Sequence, residues 1–163
     1  MKILSDQEIQ KISDPIVDTP EDFVRLYEVF LCMCKLCLLN NGVGLAAIQV
    51  GIPWRMFIRL KPEDSKHPFD CFVNCEYIPK NDEKSLSVEG CLSLRRLNGE
   101  LRFFEVNRYK IVRLKGHKFN LDLFKFDPIE EVLEDFAAIV VQHEIDHASR
   151  ILISDIGKEI HVY

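Results

Sequence analysis

No stretch of the sequence approaches the ~18 consecutive apolar residues of a membrane-spanning helix. The opening residues MKILSDQEIQKISDP contain no apolar segment followed by a small-residue cleavage site. A cytoplasmic protein without a membrane partner is the expectation. Positive charge is also scarce: 21 Lys and Arg against 26 Asp and Glu leave a formal charge of −5. Direct nucleic-acid binding by phosphate neutralisation is therefore disfavoured. Repeats, linkers and low-complexity tracts are missing too. The 163 residues, 47% hydrophobic and 29% charged, suit one domain over 1–163 with a real core. Cysteine is present, six times. In a chain large enough to fold without staples, and in a reducing compartment, these read as buried thiols or ligands rather than a disulfide set.

The pattern along the chain predicts helix, then strands, then helix. The first helix has Thr19 as N-cap and Pro20 at its first position. It carries an apolar stripe of Phe23, Leu26, Tyr27, Phe30, Cys34, Cys37 and Leu38, and ends at Asn40, Asn41 and Gly42. The runs WRMFIRL, CFVNCEYI, LRFFEVNRYKIVRL and HKFNLDLFKF read as antiparallel strands. A second helix is expected from Asp127 as N-cap, with Pro128 at the first position and Glu130 two residues on, and an inward stripe of Val132, Phe136, Val140, His143 and His147. The fold class is α+β, antiparallel sheets packed around a central helix.

That second helix contains His143-Glu-x-x-His147. Residues i and i+4 share a helix face, so both imidazoles can grip one cation while Glu144 handles a proton of the attacking water. Two histidines on a core-facing stripe are unfavourable as plain packing, because each must find a partner. The metzincin continuation fails, since Arg150 and Ile153 stand where Gly and a third His belong. A later glutamate, as in thermolysin-like enzymes, has only Glu159 as candidate. An upstream ligand is favoured, and Cys91 in SVEGCLSL, between predicted strands, is the candidate. A thiolate with two imidazoles leaves one coordination position open. Cys32, Cys34 and Cys37 cannot converge on a helix, and Cys71 and Cys75 read as strand packing. His67, His117 and His161 fall in loop or terminal stretches and offer no fourth ligand with motif context.

Gly42-Val43-Gly44-Leu45-Ala46-Ala47 formally fits a dinucleotide fingerprint, but it follows a helix and leads into a strand, the reverse of what that fingerprint requires. Two glycines otherwise allow close backbone approach to a ligand, but taken alone a tight turn is the better reading. Taken together, GVGLAAIQ, EGCLS and QHEIDH, in this order, resemble the three signature motifs of the peptide deformylases. The resemblance implies an α+β fold of that family, with Cys91, His143 and His147 as ligands of one divalent cation. Ferrous iron is the metal it implies, with zinc, nickel or cobalt as substitutes. Glu144 is implied as general acid and base, Gln49 and the Leu92 N–H as oxyanion donors, and Val43, Gly44, Leu45, Glu89 and Gly90 as residues bordering the peptide. The implied substrates are N-formyl-Met nascent peptides, met transiently at the ribosome by a monomer. The implied location is the cytoplasm, or the host cytoplasm if the gene is phage-borne.

Ile139 and Val140, one turn before His143, are placed to line an apolar pocket for the methionine side chain. Asp146 points off the metal face, and Arg108 is its expected salt-bridge partner. Three places depart from the family pattern. Ile48 stands for the usual proline, Leu94 and Arg95 for Val-Pro, and Ala148 and Arg150 for Leu and Gly. None removes a ligand, base or oxyanion donor. A small metallopeptidase and a non-catalytic metal-stabilised binding module are the rival classes. Cysteine ligation argues against the first, and a fourth protein ligand would be needed for the second.

Overall fold

The computed structural model of the protein describes residues 1–10, 23–61 and 67–161. The expected cap at Thr19 and Pro20 lies outside them. In chain order the elements are α1 (Asp6–Ile9), α2 (Phe23–Leu39), β1 (Gly44–Ala46), a 3-10 turn (Ala47–Val50), β2 (Met56–Leu60), β3 (Phe69–Pro79) and β4 (Lys84–Arg95). There follow β5 (Leu101–Tyr109), β6 (Ile111–Asn120), β7 (Lys125–Glu134), α3 (Asp135–Ala148), α4 (Ile153–Ile156) and β8 (Lys158–Ile160). One sheet has the order β1-β2-β3-β6-β7 and the other β4-β5-β8, with every pairing antiparallel. The α+β expectation holds, and α3, which carries His-Glu-x-x-His, touches strands of both sheets.

α2 buries Leu26, Val29, Phe30, Met33 and Cys37, a spacing of three and four that places one face on the five-stranded sheet. Leu38, expected on that stripe, is exposed instead, and Met33 takes the inward place. The helix stops as anticipated: Asn41 turns left-handed at φ 54, and Gly42 N–H donates to Cys37 O at 2.8 Å. Ala138 and Val141 of α3 pack with Phe57, Phe72 and Leu114 of the sheet. Burying a side chain such as Phe72 contributes about 1.5–3 kcal/mol, enough to hold the helix in place when several act together.

Lys125–Glu134 is a strand, and this corrects the early start expected for the second helix. Asp127-Pro128-x-Glu130 mimics a helix start, but from Pro128 to Glu134 the burial alternates. Ile129 and Leu133 pack inward, while Val132 is exposed. β7 is an edge strand, where a proline costs no ladder bond it would otherwise need to donate and where Glu130 and Glu134 discourage pairing with another chain. The helix begins only at Asp135, where the chain turns with φ 51, and Phe136 lies exposed rather than inward.

The run LRFFEVNRYKIVRL is split at Lys110, where the chain leaves one sheet for the other. His117 lies within β6, not in a loop. β3 carries a bulge at Asn74 (φ 51), opposite which Gly116 allows close approach: a Cβ there would stand 2.6 Å from Cys75 Sγ. Cys71 and Cys75 are core residues, as expected of strand packing.

Candidate metal centre and active site

Cys91 lies inside β4 rather than between strands, and the strand delivers its Sγ to the α3 face that bears His143 and His147. Their donor atoms lie within 4.8 Å of one another, and all three residues are buried. Cys91 Sγ is 3.5 Å from His147 Nε2. His143 Nδ1 is 2.9 Å from Glu89 Oε2, which leaves Nε2 as the nitrogen free to ligate.

Glu89 is itself held. Arg108 Nε and Nη2 donate to its two oxygens at 2.8 and 3.0 Å, and Ser87 Oγ–H donates to Oε1 at 2.5 Å. Arg108 Nη1 donates to Asp146 Oδ2 at 2.5 Å, so the expected Arg108–Asp146 pair is present. Burial pushes the Glu89 carboxyl up, but bonds from His143 and Arg108 outweigh it and hold the pKa down to about 2. Asp146 is left above the ordinary range by burial, against the pull of Arg108. The network ties β4, β5 and α3 together behind the histidines.

Gln49 projects from the 3-10 turn with its amide orientation set: Oε1 accepts from Ala46 N–H at 2.8 Å, and Nε2 reaches Ser93 Oγ at 3.1 Å and Cys91 Sγ at 3.5 Å. Glu144 is 5% exposed, and its Oε2 has no hydrogen-bond partner among the described residues. Burial pushes its pKa up to about 7, with His143 pulling the other way. Its Oε1 sits 2.5 Å from where a Cβ on Gly44 would stand, so this glycine, in strand β1 rather than the expected tight turn, is required by the close approach of Glu144.

One thiol and two imidazoles converging beside a buried carboxylate oxygen that lacks a partner fit a borderline-soft divalent cation with an open position. Among the described residues no fourth His, Cys, Asp or Glu joins the group. The helical cysteines take no part in it.

The open side of the group faces a cavity of about 390 Å³. Val43, Gly44, Glu89, Gly90, Ile139 and Val140 all line it, as do Gln49, Leu92, His143 and Glu144. Leu45 does not: it is fully buried in the core under β1. Glu89 reaches the cavity wall, but its carboxylate is committed to His143 and Arg108 rather than to the opening. Sequence reasoning missed Leu86, Val88, Phe103 and Phe136 on the rim. Leu86 and Val88 carried a signal, the alternation with buried Ser87 and Glu89 that marks a strand with one open face.

A helix bearing His-Glu-x-x-His, a strand cysteine completing its donor set and two antiparallel sheets around them define a metal-dependent hydrolase. Comparison with known proteins narrows the class. The family model described as polypeptide deformylase matches residues 2–161. A peptide deformylase of Rhodopirellula baltica is 41% identical over 154 residues, covering 93% of this chain and 69% of the relative. One of Thermotoga petrophila is 30% identical over 155 residues, 95% of this chain and 84% of the relative. The class I type b peptide deformylase of Acinetobacter baumannii, solved with Met-Ala-Ser bound, superposes with a TM-score of 0.78 at 28% identity, covering 95% of this chain and 97% of that one. A probable peptide deformylase from Synechococcus phage S-SSM7 gives 0.76 at 31% identity, covering 96% and 99%. The chain belongs to the polypeptide deformylase family. Its reaction is removal of the N-formyl group from N-formylmethionyl peptides of nascent proteins, with release of formate.

Proposed function

We propose that Cys91, His143 and His147 hold the divalent cation of this hydrolase and that Glu144, Gln49 and Leu92 carry the bond-breaking step. The observation that carries this is the convergence of three donor atoms from β4 and α3 within 4.8 Å, beside the cavity that Glu144 also lines. A divalent cation there supplies Lewis acidity, polarising the formyl carbonyl and acidifying water. Glu144 takes a proton from the attacking water and returns it to the leaving nitrogen as the C–N bond breaks, giving formate and a free α-amine. The Gln49 amide and Leu92 N–H donate to the formyl oxygen as charge builds on it.

Val43, Gly44 and Gly90 border the peptide backbone, and Ile139 and Val140 receive the methionine side chain. Iron(II) is the native metal in this reading, with zinc, nickel or cobalt able to replace it. The chain works as one catalytic domain, a monomer in the cytoplasm meeting nascent chains transiently at the ribosome. No helix among the described residues is long and apolar enough to cross a membrane.

The test is formate release from formyl-Met-Ala-Ser by anaerobically prepared protein, wild type against Glu144→Gln. Wild type turns over, and the variant keeps stoichiometric metal while losing ~10²–10⁴-fold in rate. A metal-loaded variant with near-normal turnover overturns the role of Glu144.

A further inference from the structure

The β4–β5 ladder is interrupted where the site needs it most. Pairing passes from Gly90↔Phe103 to Arg95↔Leu101, so Cys91, Leu92, Ser93 and Leu94 stand opposite Arg102 alone. Four residues facing one form an extended bulge, which re-aims side chains at the cost of ladder hydrogen bonds. The bulge carries a proposed metal ligand and a proposed oxyanion N–H. Its far side is not packed solid either: Leu92 and Ser93 also border a second cavity, of about 450 Å³, on whose wall Asn40 and Arg95 lie. The Leu92 side chain is held in the core, but β5 offers no ladder partner to its backbone here.

Arg95 bridges this gap. Its Nε donates to Leu92 O at 3.3 Å, Nη1 to Gly99 O at 2.8 Å and Nη2 to Asn40 Oδ1 at 3.1 Å. Asn40 is in turn fixed to the end of α2 by its Nδ2–H, which donates to Leu36 O at 2.8 Å. One planar guanidinium thus joins the bulge, the following hairpin and the C-terminus of α2, geometry that a lysine cannot reproduce. Holding Leu92 O restricts the torsion between that carbonyl and the Leu92 N–H proposed as an oxyanion donor.

We infer that Arg95, braced by Asn40, is a positioning residue for the Leu92 oxyanion donor. The inference rests on the deformylase reading of the site and concerns a residue that departs from the family pattern. The experiment compares wild type, Arg95→Gln, Arg95→Lys, Asn40→Ala and the Arg95→Gln/Asn40→Ala double variant. Each is assayed for kcat and KM on formyl-Met-Ala-Ser, for metal by mass spectrometry and for Tm. Loss of a direct oxyanion donor costs ~10²–10³ in kcat, so loss of its brace is expected to cost less, about three- to tenfold. KM should stay within about twofold, with full metal and little change in Tm. Arg95→Lys should recover only part of kcat, and the double variant should be no worse than Arg95→Gln by more than about twofold, because both remove one brace. Unchanged kcat in Arg95→Gln overturns the inference, and so does a fall in kcat accompanied by matching loss of metal or Tm. No formate from wild type would instead overturn the deformylase reading itself.

Discussion

Replacing Arg108 by glutamine removes the only cation shared by Glu89 and Asp146 among the described residues. The guanidinium is 3% exposed, and the two carboxylates are 5% and 10% exposed. Breaking a buried ion pair by deleting one partner costs about 3–5 kcal/mol, because the remaining charge is left uncompensated. At roughly 2–4 °C per kcal/mol for a chain of this size, Tm is expected to fall by roughly 6–20 °C. Because Glu89 orients His143, metal affinity should fall as well, by about 10–100-fold, the usual cost of removing a partner that orients a ligand. The assay is thermal unfolding followed by circular dichroism, with metal content measured after dialysis against graded chelator. Asp146→Asn and the double variant complete a cycle, in which a coupling of about 1 kcal/mol or more is expected for groups in direct contact. A Tm within 2 °C of wild type, unchanged metal retention or strict additivity would refute the account of this network.

Gly44→Ala should keep its metal but lose about 10²-fold or more in kcat, because the new Cβ would lie 2.5 Å from Glu144 Oε1 and displace the proton carrier; full turnover in the variant would contradict that placement. Cys91→Ser should lose metal before it loses fold, since an alcohol is a far weaker ligand at neutral pH, and stoichiometric metal with full activity would move the third ligand elsewhere. Iron-loaded protein should lose activity in air, whereas zinc-loaded protein should not, as followed by formate release under anaerobic and aerobic conditions. N-formyl-Met peptides should exceed N-formyl-Asp peptides in kcat/KM, because Ile139, Val140 and Phe136 give the cavity an apolar wall; equal values would exclude an apolar specificity pocket.

The parts legible in the sequence were those written in local spacing. His143, Glu144 and His147 need only one helix turn to share a face, and Asn41-Gly42 stops α2 whatever surrounds it. Cys91 was reachable because a motif accompanies it, although its position inside a strand was not evident. Lys125–Glu134 was misread because Asp127-Pro128 and Glu130 obey helix-start rules that operate over three residues. The strand is decided by pairing with Ile111–Asn120, a partner that no local window contains. The resemblance implies that Leu45 borders the peptide, and its side chain is fully buried in the core, as alternation along a strand allows beside a residue that faces the cavity.

What stayed hidden is the support behind the metal face. The Arg108–Asp146 pair is legible in the sequence, but its extension to Ser87 and Glu89, up to 59 positions away, is not. Only the antiparallel pairing of β4 with β5, together with α3 crossing behind them, brings them into one buried network. Such a network is costly unless every member is satisfied, since each buried charge must be paired. Here the cost has a local return. A helix alone fixes two ligands to each other, but it does not fix them to a third on a bulged strand whose ladder bonds are interrupted. Arg108 binds the strand side through Glu89 and the helix side through Asp146, and Glu89 also meets His143, so buried ion pairs tie the strand that bears Cys91 to the helix that bears the histidines.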